Sequence, residues 1–215
     1  MKPFPIFIGY DSREAIAYHV CCQSIIDTAS VPVAFIPLTG EQRDGSNAFI
    51  YARFLVPYLC DYKGAALFLD GDMIVRGDVA ELIAQQRLDR GVQVVKHDYK
   101  TKYPVKYLGN RNEDYPRKNW SSVMLWNCAY MPNRMLTPDF IERAPGAFLH
   151  RFSWLKDEQI GELPDAWNRL VLEQPIKPDD KLLHYTVGTP CFEDYADLDG
   201  AEEWYAAAVR AARPC

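Results

Sequence analysis

The chain has 215 residues, 48% hydrophobic and 25% charged, a globular composition long enough for one sizeable core. A formal net charge of −5 argues against nucleic acid as a bulk partner, because phosphate binding needs a basic face. No apolar run approaches the ~20 residues of a membrane-spanning helix, and no transmembrane segment is expected.

The opening Met1-Lys2-Pro3-Phe4-Pro5 runs directly into a strand-like stretch, Ile6-Phe7-Ile8-Gly9-Tyr10, with no signal-peptide pattern. Asp11-Ser12 can cap the helix expected over residues 13–28, whose Ile16, Val20, Ile25 and Ile26 follow helical spacing. A strand is expected over 33–38 and a helix over 48–59, stopped near Pro57. Ala66-Leu67-Phe68-Leu69 then forms a continuous apolar run of the kind a strand buried on both faces shows.

That run ends at Asp70-Gly71-Asp72, and Met73-Ile74-Val75 follows at once. Acids at i and i+2 on an extended segment point the same way. Side by side at the mouth of an apolar core they repel, unless a cation sits between them. Oxygen ligands suit a hard divalent ion such as magnesium or manganese, and the glycine would let a ligand approach the backbone. The plainer reading is a strand end with two solvated acids at a turn.

A short amphipathic helix over 79–87 and a strand over 92–95 complete an alternation that points to a parallel, doubly wound sheet over the first hundred residues. Ligands of such sheets bind beyond the strands' carboxyl ends, where Asp11, Asp70 and Asp72 would lie. Residues 96–119 are rich in Lys, Arg and Tyr and lack core periodicity. They form either a functional loop, closing over a phosphate or an acceptor, or a solvated linker. A strand over 122–130, helical pieces over 137–154, a strand over 181–186 and a helix over 201–212 follow. Trp126 and Trp167 read as core residues. The six cysteines, at 21, 22, 60, 128, 191 and 215, show no metal-ligand spacing. Cys21 and Cys22, adjacent in a helix, read as packed thiols, which fits a cytoplasmic location.

The run FLDGDMIVRGDVAEL resembles the manganese-binding segment of nucleotide-sugar glycosyltransferases with the A-type fold. The serial order of the other pieces resembles glycosyltransferase family 8, the family of glycogenin and bacterial lipopolysaccharide galactosyltransferases. Ile8-Gly9-Tyr10-Asp11 is similar to the first strand and its nucleobase-facing acid, and Tyr51-Ala52-Arg53-Phe54 to the Y-x-R helix. Ser122-Val123-Met124-Leu125-Trp126-Asn127 resembles N-S-G-V-M-L-x-N, and Asp157-Glu158-Gln159 stands where the family has D-Q-D. Leu163-Pro164 with Trp167-Asn168 resembles L-P-x-x-W-N, and His184-Tyr185 with Gly188 resembles H-x-x-G-x-x-K-P-W. The resemblance implies a single Rossmann-like domain over 1–215, with a mixed, mainly parallel sheet flanked by helices. Residues 1–100 would form the nucleotide-sugar half and 101–215 the acceptor half.

It also implies a metal held by Asp70, Asp72 and His184, the imidazole tilting the choice towards manganese over magnesium. Tyr10, Asp11, Arg53, Asp70, Asn127 and Gly188 would bind the donor, and Asp157 and Glu158 would serve the acceptor side. The plainer alternatives are a satisfied structural residue for His184, a surface ion pair for Arg53, a helix cap for Asp11, which is compatible with a nucleobase contact, and a helix start for Asp157-Glu158. The reaction implied is sugar transfer, with retention, from a nucleotide-diphosphate sugar (a UDP-hexose) to a carbohydrate, glycolipid or protein. Two departures bear on this. No lysine follows His184 at the family's place, where Cys191-Phe192 stand, so a phosphate contact falls to Arg53, to the basic loop or to nothing. The family's tyrosine after the first acid is missing too, and Glu14 lies nearby. Two other readings remain open: a haloacid-dehalogenase-type phosphohydrolase with Asp70 as nucleophile and Asp72 as acid/base, and a non-catalytic nucleotide-sugar-binding module.

Overall fold

The computed structural model describes residues 2–40 and 47–212, so Met1 and Cys215 lie outside the described residues. Strand β1 (Phe4–Gly9) leads through a 3₁₀ turn (Ser12–Glu14) into α1 (Ala15–Thr28) and β2 (Val33–Leu38). A 3₁₀ turn (Ala52–Leu55) continues as α2 (Val56–Leu59), followed by β3 (Ala65–Leu69), β4 (Met73–Val75), α3 (Val79–Ile83) and β5 (Val92–Val94). Beyond the 96–119 loop come β6 (Val123–Asn127), α4 (Pro138–Arg143), α5 (Gly146–His150) and β7 (Ile160–Glu162). Strands β8 (Arg169–Leu170) and β9 (Leu182–His184) precede α6 (Ala201–Ala211).

Six strands form the central sheet in the order β2-β1-β3-β6-β5-β7. Strand β6 alone runs antiparallel to its neighbours, so the sheet is mixed and mainly parallel. Continuous apolar runs recur because the sheet is covered on both faces. Ile6, Ile8, Leu67 and Leu69 pack on one side with Cys21 and Ile25 of α1. Phe7, Phe68, Met124 and Trp126 pack on the other with Phe54 and Phe152. Trp126 and Trp167 are core, as their sequence context suggests. A second sheet, β4-β9-β8, lies where the chain leaves β3.

Two expectations need correction. The strands that the first hundred residues give to this sheet, β1, β2, β3 and β5, do all run the same way, but they are not one unbroken parallel array, because β6 inserts antiparallel between β3 and β5. An apolar run reports burial, not strand direction. Pro57 does not stop a helix over 48–59: it sits in the first turn of α2, where its missing N–H has no partner to lose.

Candidate functional site

The site forms where the two sheets part. Strand β3 stops at Leu69, the chain bends through Asp70-Gly71-Asp72, and β4 continues antiparallel to β9 with Met73 opposite His184. The Tyr185 N–H donates to the Asp72 carbonyl at 2.9 Å, fixing that register at the acids. Asp70, Asp72 and His184 thereby each present a ligand atom, all within 4.8 Å of one another. His184 Nε2 stands 3.3 Å from Asp72 Oδ1 and 3.8 Å from Asp70 Oδ2. Gly71 serves packing rather than ligand approach, since a Cβ there would lie 2.3 Å from the Gly9 carbonyl oxygen.

A chain of hydrogen bonds sets the polarity of the histidine. Ser122 gives its single hydroxyl proton to the Asn119 carbonyl at 2.7 Å, so its oxygen can only accept from Asn168 Nδ2, at 2.8 Å. That turns Asn168 Oδ1 towards His184 Nδ1, 3.0 Å away, which must carry the proton. Nε2 is therefore the nitrogen that faces the two carboxylates. Oδ1 of Asp70 and Oδ1 of Asp72 are buried without a hydrogen-bond donor. Arg53 Nη1 lies 2.8 Å from Asp70 Oδ1, an ion pair whose angle is not that of a hydrogen bond, and donates to the Ser121 carbonyl at 2.9 Å. One ligand atom from each of Asp70, Asp72 and His184 converging in a pocket fits a divalent cation, and an acceptor behind the imidazole, here the Asn168 carbonyl oxygen, is the kind of support a ligating histidine has.

Charges follow the same geometry. Burial pushes Asp70 up to about 6, with Arg53 opposing and Asp72 adding to the rise. Burial also acts to raise Asp72, but the neighbouring His184 and Lys106 outweigh it and hold that carboxyl below the usual range. Burial takes His150 down to about 3, leaving it neutral. Its Nδ1 lies 2.8 Å from Ser121 Oγ.

A cleft of about 360 Å³ opens over the acids, within the size range of small-molecule sites. Its floor includes Arg53, Asp70, Asp72 and His184. Much of its wall is the basic 96–119 loop, which contributes Lys106, Tyr107, Asn112 and Lys118. The loop is tied down: Glu173, itself buried, accepts from Thr101 Oγ1, from the Lys102 N–H at 2.8 Å and from Asn112 Nδ2 at 3.3 Å. It is a wall rather than a solvated linker.

The other expected site residues lie elsewhere or are engaged. Asn127 ends β6 opposite Ala65, the start of β3, so it sits on the order of 15 Å from Asp70 along the strand. Because β6 runs backwards, its first end, at Ser121-Ser122, reaches the site. Asn127 instead donates to the Leu88 carbonyl at 2.9 Å. Gly188 makes room for the Tyr195 ring, 2.3 Å from where a Cβ would stand. Tyr10 sets its ring edge against Tyr18.

Asp11 is buried and accepts from the Arg13 N–H, Nε and Nη2 and from the Ala48 N–H. Those four donors fill a carboxylate's capacity, so it is a cap with no lone pair left for a base. Asp157 and Glu158 lie on an exposed turn (Asp157–Gln159) outside the cleft lining, and Asp157 pairs with Arg117. Sequence reasoning assigned no role to Asn168, Ser121, Ser122, His150 or Lys106. Asn168 and Ser122 carried a signal as members of the L-P-x-x-W-N and N-S-G-V-M-L-x-N pieces, and Lys106 as one of several cations in the basic loop.

With this geometry the comparisons agree on the fold. No protein-family profile matches the chain. The galactosyltransferase LgtC, solved with donor and acceptor sugar analogues, superposes with a TM-score of 0.64 at 14% identity, over 99% of this chain and 98% of that one. The glycosyltransferase GlyE of Streptococcus pneumoniae TIGR4 gives 0.66 at 15% identity, over 97% of this chain and 61% of its own. The chain has the A-type glycosyltransferase fold. Protein CDI of Arabidopsis thaliana is 40% identical over 220 residues, covering 94% of this chain and 85% of that protein. The chain belongs to the Protein CDI family.

Proposed function

We propose that this protein is a metal-dependent glycosyltransferase that moves a sugar from a nucleotide-diphosphate donor, a UDP-hexose on the resemblance, with retention of configuration. The observation that carries the reading is the Asp70–Asp72–His184 cluster, with a donor-less buried Asp72 Oδ1 beside a directed Nε2, on the floor of a cleft in this fold. Asp70, Asp72 and His184 would hold the ion, and the mixed oxygen and nitrogen set favours manganese over magnesium. The bound cation supplies Lewis-acid stabilisation of the charge that builds on the departing diphosphate.

The chain's own residues do the rest. Arg53, gripped between the Phe49 and Phe68 rings at 5.2 and 5.1 Å, holds Asp70 in place from behind. The loop wall limits the access of water to the reacting sugar. Neutral His150 and Ser121 offer uncharged polar contacts suited to sugar hydroxyls. Asp157 anchors Arg117 at the rim and has no contact with the cleft floor. Five free cysteines among the described residues suit a reducing compartment such as the cytoplasm, and no helix among the described residues is long and apolar enough to cross a membrane. A phosphohydrolase would need Asp70 open to in-line attack, but it is buried against Arg53.

The test is a thermal-shift panel of nucleotides and nucleotide sugars with and without manganese. A ligand bound only by the folded state raises the midpoint. A UDP species should raise it in manganese, and chelator or Asp72→Asn should abolish the rise; an equal rise in chelator refutes the metal site. Release of UDP from a donor sugar then separates an enzyme from a binding module.

A further inference from the structure

The ion and the two acids that hold it cancel in charge, which leaves Arg53, beside Asp70, as one net positive charge. A diphosphate bound there carries two negative charges, so one remains without a partner, and more charge develops as the sugar leaves. The cleft must supply another cation. Its candidates are Lys106, Arg111, Lys118 and Arg151. Lys118 gives its ammonium to Asn112 Oδ1 at 2.7 Å and the Glu113 carbonyl at 2.8 Å. Arg111 is 88% exposed and faces Glu113 at 3.5 Å. Arg151 stands exposed on the rim, its carbonyl accepting from Arg117.

Lys106 differs. Its Nζ donates to Thr186 Oγ1 at 3.0 Å, two residues beyond His184, and two further N–H groups remain in the field of Asp72 and Asp70. Its backbone is clamped in place. The Lys106 N–H donates to the Asn110 carbonyl at 2.8 Å and the Tyr107 N–H to the Val187 carbonyl at 2.9 Å. The Tyr107 hydroxyl donates to Glu14 Oε1 at 2.8 Å, and its ring stacks on Phe192 with centroids 5.0 Å apart.

We propose that Lys106, delivered by the 96–119 loop, is the side chain that binds the donor's diphosphate beside the metal ion. The proposal rests on the glycosyltransferase reading. It makes the loop a fixed part of the donor site rather than an acceptor element.

The test is calorimetric titration in manganese of UDP, GDP and ADP, each against its monophosphate, into wild type and into Lys106→Met and Lys106→Arg. Lys106→Met should weaken the preferred diphosphate by about tenfold or more while changing the monophosphate far less, and Lys106→Arg should recover much of the loss. Manganese affinity without nucleotide, read by electron paramagnetic resonance, should not fall. Should Lys106→Met not fold, Thr186→Val, which frees the ammonium from its anchor, should show the same selective loss in smaller degree. Diphosphate affinity within twofold of wild type in the variants overturns this inference alone. A wild type that binds no diphosphate, with or without manganese, overturns the glycosyltransferase reading and this inference with it.

Discussion

Asn168 accepts the Nδ1 proton of His184 in a site closed to solvent, and that bond decides which imidazole nitrogen faces the acids. The first prediction follows from it. Asn168→Leu keeps the volume but removes the acceptor, so the ring is free to rotate or change tautomer. Manganese affinity should fall about 10- to 100-fold, the usual consequence of losing such a support. The orphaned Nδ1–H should lower stability by about 1–3 kcal/mol. A manganese titration followed by paramagnetic resonance, with a thermal melt alongside, checks both; unchanged affinity would show that His184 is not held for a metal.

Gly71 is the second. The nearest atom to its missing Cβ is the Gly9 carbonyl oxygen, at 2.3 Å, and Gly9 is itself backed by the Phe49 ring. Backbone cannot yield as a side-chain tip can. Gly71→Ala should therefore part β1 from the acid bend, destabilise the fold by about 2–4 kcal/mol and abolish the metal-dependent thermal shift. Denaturant unfolding measures the first effect, and a loss below 0.5 kcal/mol would contradict the packing role.

Some of this was legible and some was not, for identifiable reasons. The acid pair declared itself because two carboxylates beside a doubly buried strand are costly without a purpose, and His184 because its neighbours follow a known order. Asn127 misled because an apolar strand looks the same in either direction, and antiparallel β6 carried it to the far end of the sheet. Asp157 misled because acids at an exposed turn resemble acids at a site. The basic loop could be read as a source of a phosphate contact, but not which of its cations: the place of Lys106 depends on Val187, Glu14 and Phe192, all remote in sequence and none matched by a local period.

Glu14 gives the third prediction. Burial pushes its carboxyl up to about 8, Asp72 adding to the rise and the Tyr107 hydroxyl opposing it. The unfolded chain holds this group near its ordinary value of about 4.3. A raised acid favours the folded state while protonated, and that advantage disappears as pH climbs through the folded value. In chelator, stability should fall by about 1 kcal/mol between pH 7 and 8.5, and Glu14→Gln should flatten that slope. Denaturant midpoints at three pH values decide it; an equal slope in both proteins would place the titration elsewhere.

The fourth concerns the loop wall. Glu173 is buried and gathers three donors, from Thr101, Lys102 and Asn112, so one carboxylate holds both arms of the 96–119 segment. Glu173→Ala leaves those donors facing a void and removes the tether. The charge-assisted bonds it loses imply a cost of about 2–3 kcal/mol. The effect should be local, because the acids and His184 are fixed by β4 and β9 and not by the loop. Amide exchange should accelerate across residues 101–112 while β3 and β9 stay protected, and manganese affinity should hold as diphosphate affinity drops. Exchange that quickens equally throughout the sheet would mean that Glu173 supports the whole fold, and that the wall has no independent hold on the cleft.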